Sequence, residues 1–228
     1  MPHTPAKLVA ARAALEYLEQ TLGDNDWRLG IGTGSTVNAF IDLLARSDAC
    51  QQGRIDTLVS SSKASAGLLV EHGMRVTDAN QVIELDAYVD GADRLTKNGC
   101  MIKGGGGAMF GEKLVAHLAR EFVCIAEPSK LVGVLGDFPV AVEVAPSARS
   151  YVARKLVALG GQPELREGFV TDQGNLVLDT HNLDLSDPQK MEDAINAITG
   201  VLDNGVFAHK RARVMLLGEN DSARRIDA

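Results

Sequence analysis

The chain has 228 residues, of which 45% are hydrophobic and 23% are charged, and its formal net charge is -7. This length allows one sizeable core, or a main domain with a smaller second one. The acidic balance argues against a nucleic-acid binder or an anionic-membrane binder, because both depend on a basic surface. A small anionic substrate stays compatible with it, since such a substrate needs only local positive charge.

The cysteines and the chain start bear on the compartment. Cys50, Cys100 and Cys124 lie far apart and form no C-x-x-C pair, which disfavours a disulfide framework or a zinc site and favours a reducing cytosol. No signal-peptide pattern is present, and no apolar run approaches about eighteen residues, so we predict neither a signal peptide nor a transmembrane span.

Strands and helices alternate through the first part of the chain. Thr4 and Pro5 are typical of a helix start, and Gly23 of a helix end. The predicted strands that follow are 28–31, 57–60, 74–76, 85–89 and 122–126, and the predicted helices are 37–46, one that ends at 72–73, and 109–120. This alternation predicts right-handed crossovers and a mostly parallel sheet.

The pattern changes after about residue 131. Strands are predicted at 140–144, 164–171, 176–179 and 205–208, and helices at 148–159 and 188–198. This order is that of a ferredoxin-like unit. We therefore predict an α/β protein with two domains: a Rossmann-like, mostly parallel sheet domain at 1–131 plus 210–228, and a second, smaller ferredoxin-like α+β domain at 132–209. Residues 213–217 are expected to return to the main sheet.

Polar motifs follow Ile31, Val59, Val89 and Ile102, and the first three of these residues lie at the ends of predicted strands. Ligands of open α/β sheets bind beyond the carboxyl ends of the strands. The sequence therefore predicts a ligand site at that edge.

The most informative motif is Lys103 followed by four glycines, with Glu112 beyond them on a predicted helix. Consecutive glycines cost conformational entropy, and they allow a backbone to come very close to a ligand. Backbone N–H groups near a helix start attract anions. Lys103 can stabilise negative charge on an oxygen and Glu112 can move a proton, although Glu112 is also compatible with an ordinary exposed helix residue.

Three further motifs have both a functional and a structural interpretation. The loop at 30–36 (G-I-G-T-G-S-T) can bind phosphate or form a tight turn, and the serine cluster at 60–65 can line a polar pocket or cap a helix. Asp90-Gly91-Ala92-Asp93 places two carboxylates after a strand, where they can bind sugar hydroxyls, do acid–base work, bind a divalent metal, or form a local turn. Lys7 and Lys130 are candidate phosphate partners, and the histidines form no metal-ligand spacing.

Together these motifs resemble the type A ribose-5-phosphate isomerase family, over essentially the whole chain. The resemblance rests on the G-T-G-S-T motif at 32–36, S-S-S at 60–62, D-G-A-D at 90–93, K-G-G-G at 103–106 with Glu112, A-E-P-S-K at 126–130, A-R-S at 148–150, G-G at 160–161 and T-D-Q-G-N at 171–175. One departure is Arg94, where the family often has Glu.

The resemblance implies the reversible isomerisation of D-ribose 5-phosphate to D-ribulose 5-phosphate, an intramolecular oxidoreduction of the non-oxidative pentose phosphate pathway. It implies a cytoplasmic enzyme that needs no cofactor and no metal, forms homodimers or dimers of dimers, and has Glu112 as catalytic base. The positions that carry over as substrate-binding are Thr33, Gly34, Ser35, Thr36, Asp90, Gly91, Ala92, Asp93, Lys103, Gly104, Gly105, Gly106, Lys130 and Lys7. We further expect Lys103 to act in catalysis and either Asp90 or Asp93 to assist opening of the sugar ring.

Three other functions are compatible with parts of the sequence. A non-catalytic sugar-phosphate sensor of the kind found in DNA-binding regulators is disfavoured by the acidic charge and by the lack of length for a helix-turn-helix segment. A metal-dependent isomerase would use Asp90, Asp93 and Glu112 as ligands. A nucleotide-dependent oxidoreductase is suggested only by the loop at 30–36, which lacks an acidic residue about twenty positions further on.

Overall fold

The first helix follows the signals in its sequence. In the computed structural model, which describes residues 4–219 and 221–228, the Thr4 side chain accepts a hydrogen bond from the backbone N–H of Lys7 and Pro5 begins the helix. The helix ends at Gly23, whose φ of +56° is readily available to glycine. The predicted start and end of this helix are confirmed.

The described residues contain seven α-helices and thirteen strands. The helices are α1 Pro5–Leu22, α2 Ser35–Ala45, α3 Asp48–Gln51, α4 Lys63–Glu71, α5 Met109–Leu118, α6 Arg149–Ala158 and α7 Pro188–Asn196. The strands are β1 Trp27–Ile31, β2 Ile55–Ser60, β3 Leu85–Asp90, β4 Arg94–Leu95, β5 Met101–Ile102, β6 Ala119–Ala126, β7 Val140–Val144, β8 Gln162–Leu165, β9 Leu176–His181, β10 Val201–Asn204, β11 Val206–Phe207, β12 Val214–Gly218 and β13 Ala223–Asp227. None of the helices in this described part is long and apolar enough to cross a bilayer.

The chain divides into two compact units. The first contains residues 4–92, 111–130 and the described part of 212–228, and the second contains 93–110 and 131–211. The segment 93–110 therefore groups with the second unit, whereas the sequence assigned it to the first domain. Whether the two units are independently folding domains with the predicted boundaries stays a prediction.

The first unit is built on a six-stranded sheet with the order β13-β12-β6-β3-β1-β2. Its pairs are parallel except for β12 with β13 at one edge. The inner strands are almost continuously buried, as expected for a parallel sheet covered on both faces. The predicted mostly parallel sheet is confirmed, including the return of the chain into it at β12.

The second unit contains a four-stranded antiparallel sheet with the order β10-β7-β9-β8. Helix α6 connects β7 to β8 and helix α7 connects β9 to β10, so the chain order is the predicted β-α-β-β-α-β. A separate three-stranded sheet, β11-β5-β4, also belongs to this unit. The predicted fold class, an α/β sheet with a smaller α+β part, is confirmed.

Several element predictions in the first unit are wrong. Residues 74–76 form no strand: the segment reaches the edge strand β2 through one bond, from Thr77 N–H to Leu58 O (2.7 Å), while Met74 and Val76 pack into the core. The helix predicted over 109–120 ends at Leu118, because Ala119 already pairs with Leu85 of β3.

Other predictions fail in the second unit. The strand predicted at 164–171 ends at Leu165, and Gly168 with φ +68° lies within the turn that follows. Residues 205–208 contribute β11 to the three-stranded sheet, and the fourth strand of the larger sheet is β10, which was not predicted. Ile102 ends β5 of the three-stranded sheet, so Lys103 does not follow a strand of the parallel sheet.

Gly218 at the end of β12 offers a test of the packing of α1 on the sheet. A Cβ at this position would lie 1.8 Å from the Ala6 carbonyl oxygen. We expect Gly218→Ala to lower the free energy of unfolding by about 1–3 kcal/mol in urea denaturation, because the helix must shift to make room. The control is Gly67→Ala in α4, where a Cβ meets nothing within 4 Å and a gain of about 0.5–1 kcal/mol is expected. Equal changes in the free energy of unfolding for Gly218→Ala and Gly67→Ala would contradict the close packing of α1 against the end of β12.

Candidate active site

Polar segments follow the carboxyl ends of neighbouring strands in the first unit. Ile31 of β1 is in register with Ser60 of β2 and with Val89 of β3, and Asp90 is in register with Cys124 of β6. The loops at 32–36, 60–62, 90–92 and 127–130 therefore begin along one edge of the parallel sheet. This is the edge at which ligands of such sheets bind. The segments after Ile31, Val59 and Val89 lie there as the sequence predicted, and the ligand site itself stays a prediction.

Asp90 is a firmly held member of the predicted site. It ends β3 with no exposed surface. Its Oδ1 accepts hydrogen bonds from the backbone N–H groups of Thr33 (3.0 Å) and Gly91 (2.7 Å), and its Oδ2 accepts one from the Tyr88 hydroxyl. The structure therefore brings Thr33 of the G-T-G-S-T motif to Asp90 and Gly91 of the D-G-A-D motif, two motifs that the sequence analysis identified separately.

Gly32 makes this arrangement possible. A Cβ at this position would lie 2.0 Å from Cγ of Asp90. Its backbone N–H also donates to the Val89 carbonyl oxygen at 2.9 Å. The glycine is therefore required by the close approach of the loop to the carboxylate.

Tyr88 links Asp90 to Glu112 electrostatically. Burial raises the pKa of the Tyr88 phenol well above its usual value, and the negative charges of Asp90 and Glu112 act in the same direction. The phenol therefore stays protonated at neutral pH and acts as a hydrogen-bond donor to Asp90. Two carboxylates of the predicted site thus act on one buried phenol.

Glu112 lies in the first turn of α5 with only 4% of its surface exposed. The preceding Gly111 lets the helix close onto the serine loop, since a Cβ there would lie 2.1 Å from the Ser61 carbonyl oxygen. The interpretation of Glu112 as an ordinary exposed helix residue is wrong. A buried carboxylate next to other ionisable groups is typical of a functional site.

The serine cluster caps a helix, which is one of its two predicted interpretations, and its role as the wall of a polar pocket stays a prediction. Ser62 caps α4 by accepting a hydrogen bond from Ser65 N–H (3.1 Å), and its hydroxyl also donates to Thr33 Oγ1 (3.0 Å). Helix α2 begins beside Thr33, with Gly34 (φ +107°) as its N-cap and Ser35 and Thr36 in its first turn. An open cleft of about 560 Å³ is lined by Thr33, Gly34, Ser35, Asn38, Lys63, Ala64, Gly67, Leu68 and Glu71.

The two candidate phosphate lysines both lie near Glu127, just after β6. The Lys7 ammonium is 3.9 Å from Glu127 Oε2, and the Thr4 hydroxyl donates to Glu127 Oε1 (2.9 Å). Lys130 is half-buried and its backbone N–H donates to the Glu127 carbonyl oxygen (3.0 Å). The structure therefore gathers these lysines at the same loop.

Lys103 belongs to the second unit, directly after β5. It is 2% exposed, and its ammonium lies 5.6 Å from the ring centroid of Phe207, within the range of a cation–π contact. Its backbone N–H donates to the Gly205 carbonyl oxygen (2.8 Å), and a Cβ on Gly205 would lie 2.2 Å from the Lys103 carbonyl oxygen. The backbone of Lys103 is therefore packed tightly against the backbone of Gly205.

Asp93 and the glycine run also belong to the second unit. The Gly105 N–H donates to Asp93 Oδ2 at 2.8 Å, and the Gly107 N–H donates to the Gly104 carbonyl oxygen at 2.9 Å. Gly104 and Gly107 have φ values of +95° and +74°, which favour glycine. The run therefore forms a tight turn just before α5.

Arg94, the departure from the family pattern, does not pair with the Asp93 carboxylate. Its Nε donates to the carboxylate of Asp137 (2.8 Å) and its Nη1 donates to the backbone carbonyl oxygen of Asp93 (2.8 Å).

Arg166 is a residue that the sequence analysis missed. Its guanidinium donates to the carbonyl oxygens of Gly104 and Gly105 at 3.2 Å. It lies about sixty residues further along the chain than the glycine run, and nothing in its own neighbourhood distinguishes it from a surface arginine.

Within the described residues, no group of three or more His, Cys, Asp and Glu side chains is arranged to hold a metal ion.

Comparisons with known proteins identify the family. Residues 57–222 match the family described as ribose 5-phosphate isomerase A (phosphoriboisomerase A). A ribose-5-phosphate isomerase A from Legionella pneumophila (strain Paris) is 52% identical over 211 residues, which make up 92% of this chain and 94% of that protein. The chain belongs to the ribose 5-phosphate isomerase A family.

Solved structures of the family have the same fold. Ribose 5-phosphate isomerase A from Neisseria gonorrhoeae is 47% identical, with a TM-score of 0.91 over 97% of this chain and 95% of that one. A D-ribose-5-phosphate isomerase in complex with phospho-erythronic acid is 32% identical, with a TM-score of 0.90 and full coverage of both chains. The family resemblance predicted from the motifs is confirmed.

The contact between Tyr88 and Asp90 can be tested by removing one hydroxyl. We expect Tyr88→Phe to lower the free energy of unfolding by about 1–3 kcal/mol, because a buried carboxylate oxygen loses its phenol donor. Urea denaturation measures this loss. The control is Tyr151→Phe, since Tyr151 is 43% exposed and its substitution should change stability by less than about 0.5 kcal/mol. A Tyr88→Phe protein as stable as this control would contradict the assignment.

Proposed function

We propose that this chain interconverts D-ribose 5-phosphate and D-ribulose 5-phosphate through an enediolate, with Glu112 as the base. The observation that carries the proposal is the burial of Glu112 in the same unit as the firmly held Asp90. Membership of the ribose 5-phosphate isomerase A family supports the choice of substrate. The relative bound to phospho-erythronic acid supports it further, because that ligand joins a carboxylate and a phosphate in one small molecule.

The first step opens the sugar ring, and we assign assistance of this step to Asp93. Both oxygens of Asp90 accept hydrogen bonds and Asp90 has no exposed surface. Asp93 keeps part of its surface exposed, and its Oδ2 accepts a hydrogen bond from the Gly105 N–H. Asp93 is therefore better suited to exchange a proton with a sugar hydroxyl, and Asp90 to fix the loop after β1.

The second step moves a proton between neighbouring carbons. Glu112 removes the proton from C2, and the electron pair of that bond forms the C1–C2 double bond of the enediolate, with negative charge on O1. Lys103 and amides of the glycine run stabilise this charge. The proton on Glu112 exchanges with solvent while the enediolate is bound, and Glu112 then delivers a proton to C1, while O1 gains a proton and O2 loses one to become the ketone.

The phosphate end is proposed to bind at the loop after β1. The first-turn amides of α2 attract an anion, the hydroxyls of Thr33, Ser35 and Thr36 can donate to it, and the two lysines beside Glu127 add positive charge. These contacts are made equally in the ground state and in the transition state, so they serve mainly to bind the substrate.

The setting of the reaction is also a proposal. The reaction belongs to the non-oxidative pentose phosphate pathway, and a cytoplasmic location is supported by the three cysteines, all of them described and none in a disulfide. We propose a homodimer, or a dimer of such dimers, and sedimentation equilibrium tests this oligomeric state.

We also propose that the reaction needs neither a metal nor a cofactor, so activity should survive EDTA. Loss of activity on chelation, with recovery on addition of Mg²⁺ or Mn²⁺, would favour the metal-dependent alternative.

Glu112→Gln tests the base assignment. We expect kcat to fall at least a hundredfold, since a positioned base contributes about 10² to 10⁴ in rate, while substrate binding is largely kept. A coupled assay of ribose 5-phosphate conversion in EDTA measures this, with Glu19→Gln on the exposed face of α1 as the control. Near-normal turnover in Glu112→Gln would refute the assignment.

Lys130→Ala tests the phosphate end. We expect KM to rise with little change in kcat, because a contact remote from the reacting carbons supplies mostly uniform binding. Steady-state kinetics measures both constants, and Lys97→Ala, at an exposed lysine of the second unit, is the control. A fall in kcat alone would show that the phosphate role is wrong.

A further inference from the structure

Arg166 bridges a carboxylate and the glycine run within the second unit. It follows β8 directly, and its side chain is 19% exposed. Its Nε and Nη2 donate to the two oxygens of Asp179 on β9, at 2.8 and 2.5 Å. Its Nη1 donates to the carbonyl oxygens of Gly104 and Gly105, and its Nη2 also donates to that of Gly104, all at 3.2 Å.

Only arginine can make this set of contacts with one side chain. The guanidinium is planar and presents its N–H donors in a rigid fork, which matches a carboxylate along one edge and leaves donors for other acceptors. A lysine ammonium is a point charge on a flexible stem. It could approach Asp179 or the carbonyl oxygens, but could not hold both in a fixed relation.

The packing around the run leaves it little freedom. A Cβ on Gly107 would lie 2.2 Å from the ring of Phe169, and the Arg166 guanidinium lies 5.2 Å from the centroid of that ring. A Cβ on Gly104 would lie 3.0 Å from the side chains of Ala141 and Met109. The run is therefore packed against side chains of its own unit and held there by Arg166.

The contacts fix the orientation of two successive peptide groups. In a planar trans peptide the C=O and the following N–H point in opposite directions. The Gly104 carbonyl oxygen accepts from Arg166, and the N–H of the same peptide group, that of Gly105, donates to Asp93. The Gly105 carbonyl oxygen also accepts from Arg166, so the Gly106 N–H points away from the guanidinium.

We propose that Arg166 is a positioning residue for the isomerase reaction. By holding the carbonyl oxygens of Gly104 and Gly105, it turns the Gly105 N–H towards the Asp93 carboxylate and the Gly106 N–H away from the guanidinium, where it can meet the substrate. Arg166 itself does not touch the reacting atoms. This inference rests on the proposed function, in which Asp93 and amides of the run act on the substrate.

The proposal predicts an effect on turnover that exceeds any effect on folding. A displacement of about 1 Å in a catalytic group can cost on the order of 10² in rate. We therefore expect Arg166→Ala to lower kcat about a hundredfold with a smaller change in KM. Arg166→Lys keeps the charge but loses the fork, so we expect it to lower kcat about tenfold.

Two further measurements separate positioning from a structural role. Added guanidinium ion at low millimolar concentration should restore part of kcat in Arg166→Ala, because it can occupy the space that the side chain leaves. The inhibition constant of phospho-erythronic acid should rise in Arg166→Ala more than the KM of ribose 5-phosphate, because a carboxylate carries the kind of negative charge that the amides stabilise. Thermal unfolding of each variant reports the folded fraction.

The control is Arg28→Ala in the first unit. Arg28 also pairs with an aspartate through two donors, Nη2 to Asp86 Oδ1 at 2.6 Å and Nε to Oδ2 at 3.2 Å. Asp86 lies near the start of β3, away from its carboxyl end. Arg28→Ala should keep the wild-type kcat per folded molecule and should not respond to guanidinium.

The outcomes distinguish this inference from the proposed function. A wild-type chain that does not isomerise ribose 5-phosphate would refute the function itself. An active wild type with unchanged kcat in Arg166→Ala and Arg166→Lys would refute only the positioning role, as would a loss that follows the folded fraction and is not rescued. If Arg166→Ala does not fold, the kcat of Arg166→Lys becomes the test of the positioning role. A kcat of Arg166→Lys equal to that of the wild type would then overturn the proposal.

Discussion

The carboxylate of Asp90 fixes the end of β3 to the loop that follows β1. It is buried, and it accepts hydrogen bonds from two backbone N–H groups and the Tyr88 phenol. A buried carboxylate is tolerated only when such donors replace water. Because Thr33 is one of these donors, this interaction ties the G-T-G-S-T loop, and α2 behind it, to the end of β3, together with the bond from the Gly32 N–H to the Val89 carbonyl oxygen.

Glycines provide the space that the candidate site needs. Gly32 admits the Asp90 carboxylate and Gly111 admits the serine loop beside Glu112. In the second unit, the glycine run turns with positive φ and offers its carbonyl oxygens to Arg166 and one N–H to Asp93. In each unit a carboxylate thus accepts at least one hydrogen bond from a backbone N–H group.

Local signals in the sequence predicted the parts of this structure that depend on local physics. Thr4 and Pro5 start a helix because the Thr4 side chain caps it and Pro5 fits its first turn, and the D-G-A-D motif was predicted just past an apolar strand, where β3 does end. The failures have other causes. Residues 74–76 look like a strand but bury their apolar side chains without a ladder, and Arg166 acts on a segment about sixty residues away, a relation that only the tertiary fold creates.

Hydrogen exchange at carbon tests the central claim, that Glu112 takes the C2 proton to form an enediolate. Wild type and Glu112→Gln are incubated with ribose 5-phosphate in D₂O and EDTA until the sugar phosphates equilibrate, and NMR follows deuterium at C2 of the aldose and C1 of the ketose. The account predicts one solvent deuterium entering the pool with wild type and almost none with the variant over the same time. Isomerisation by wild type without any exchange, or exchange by Glu112→Gln at the wild-type rate, would contradict it.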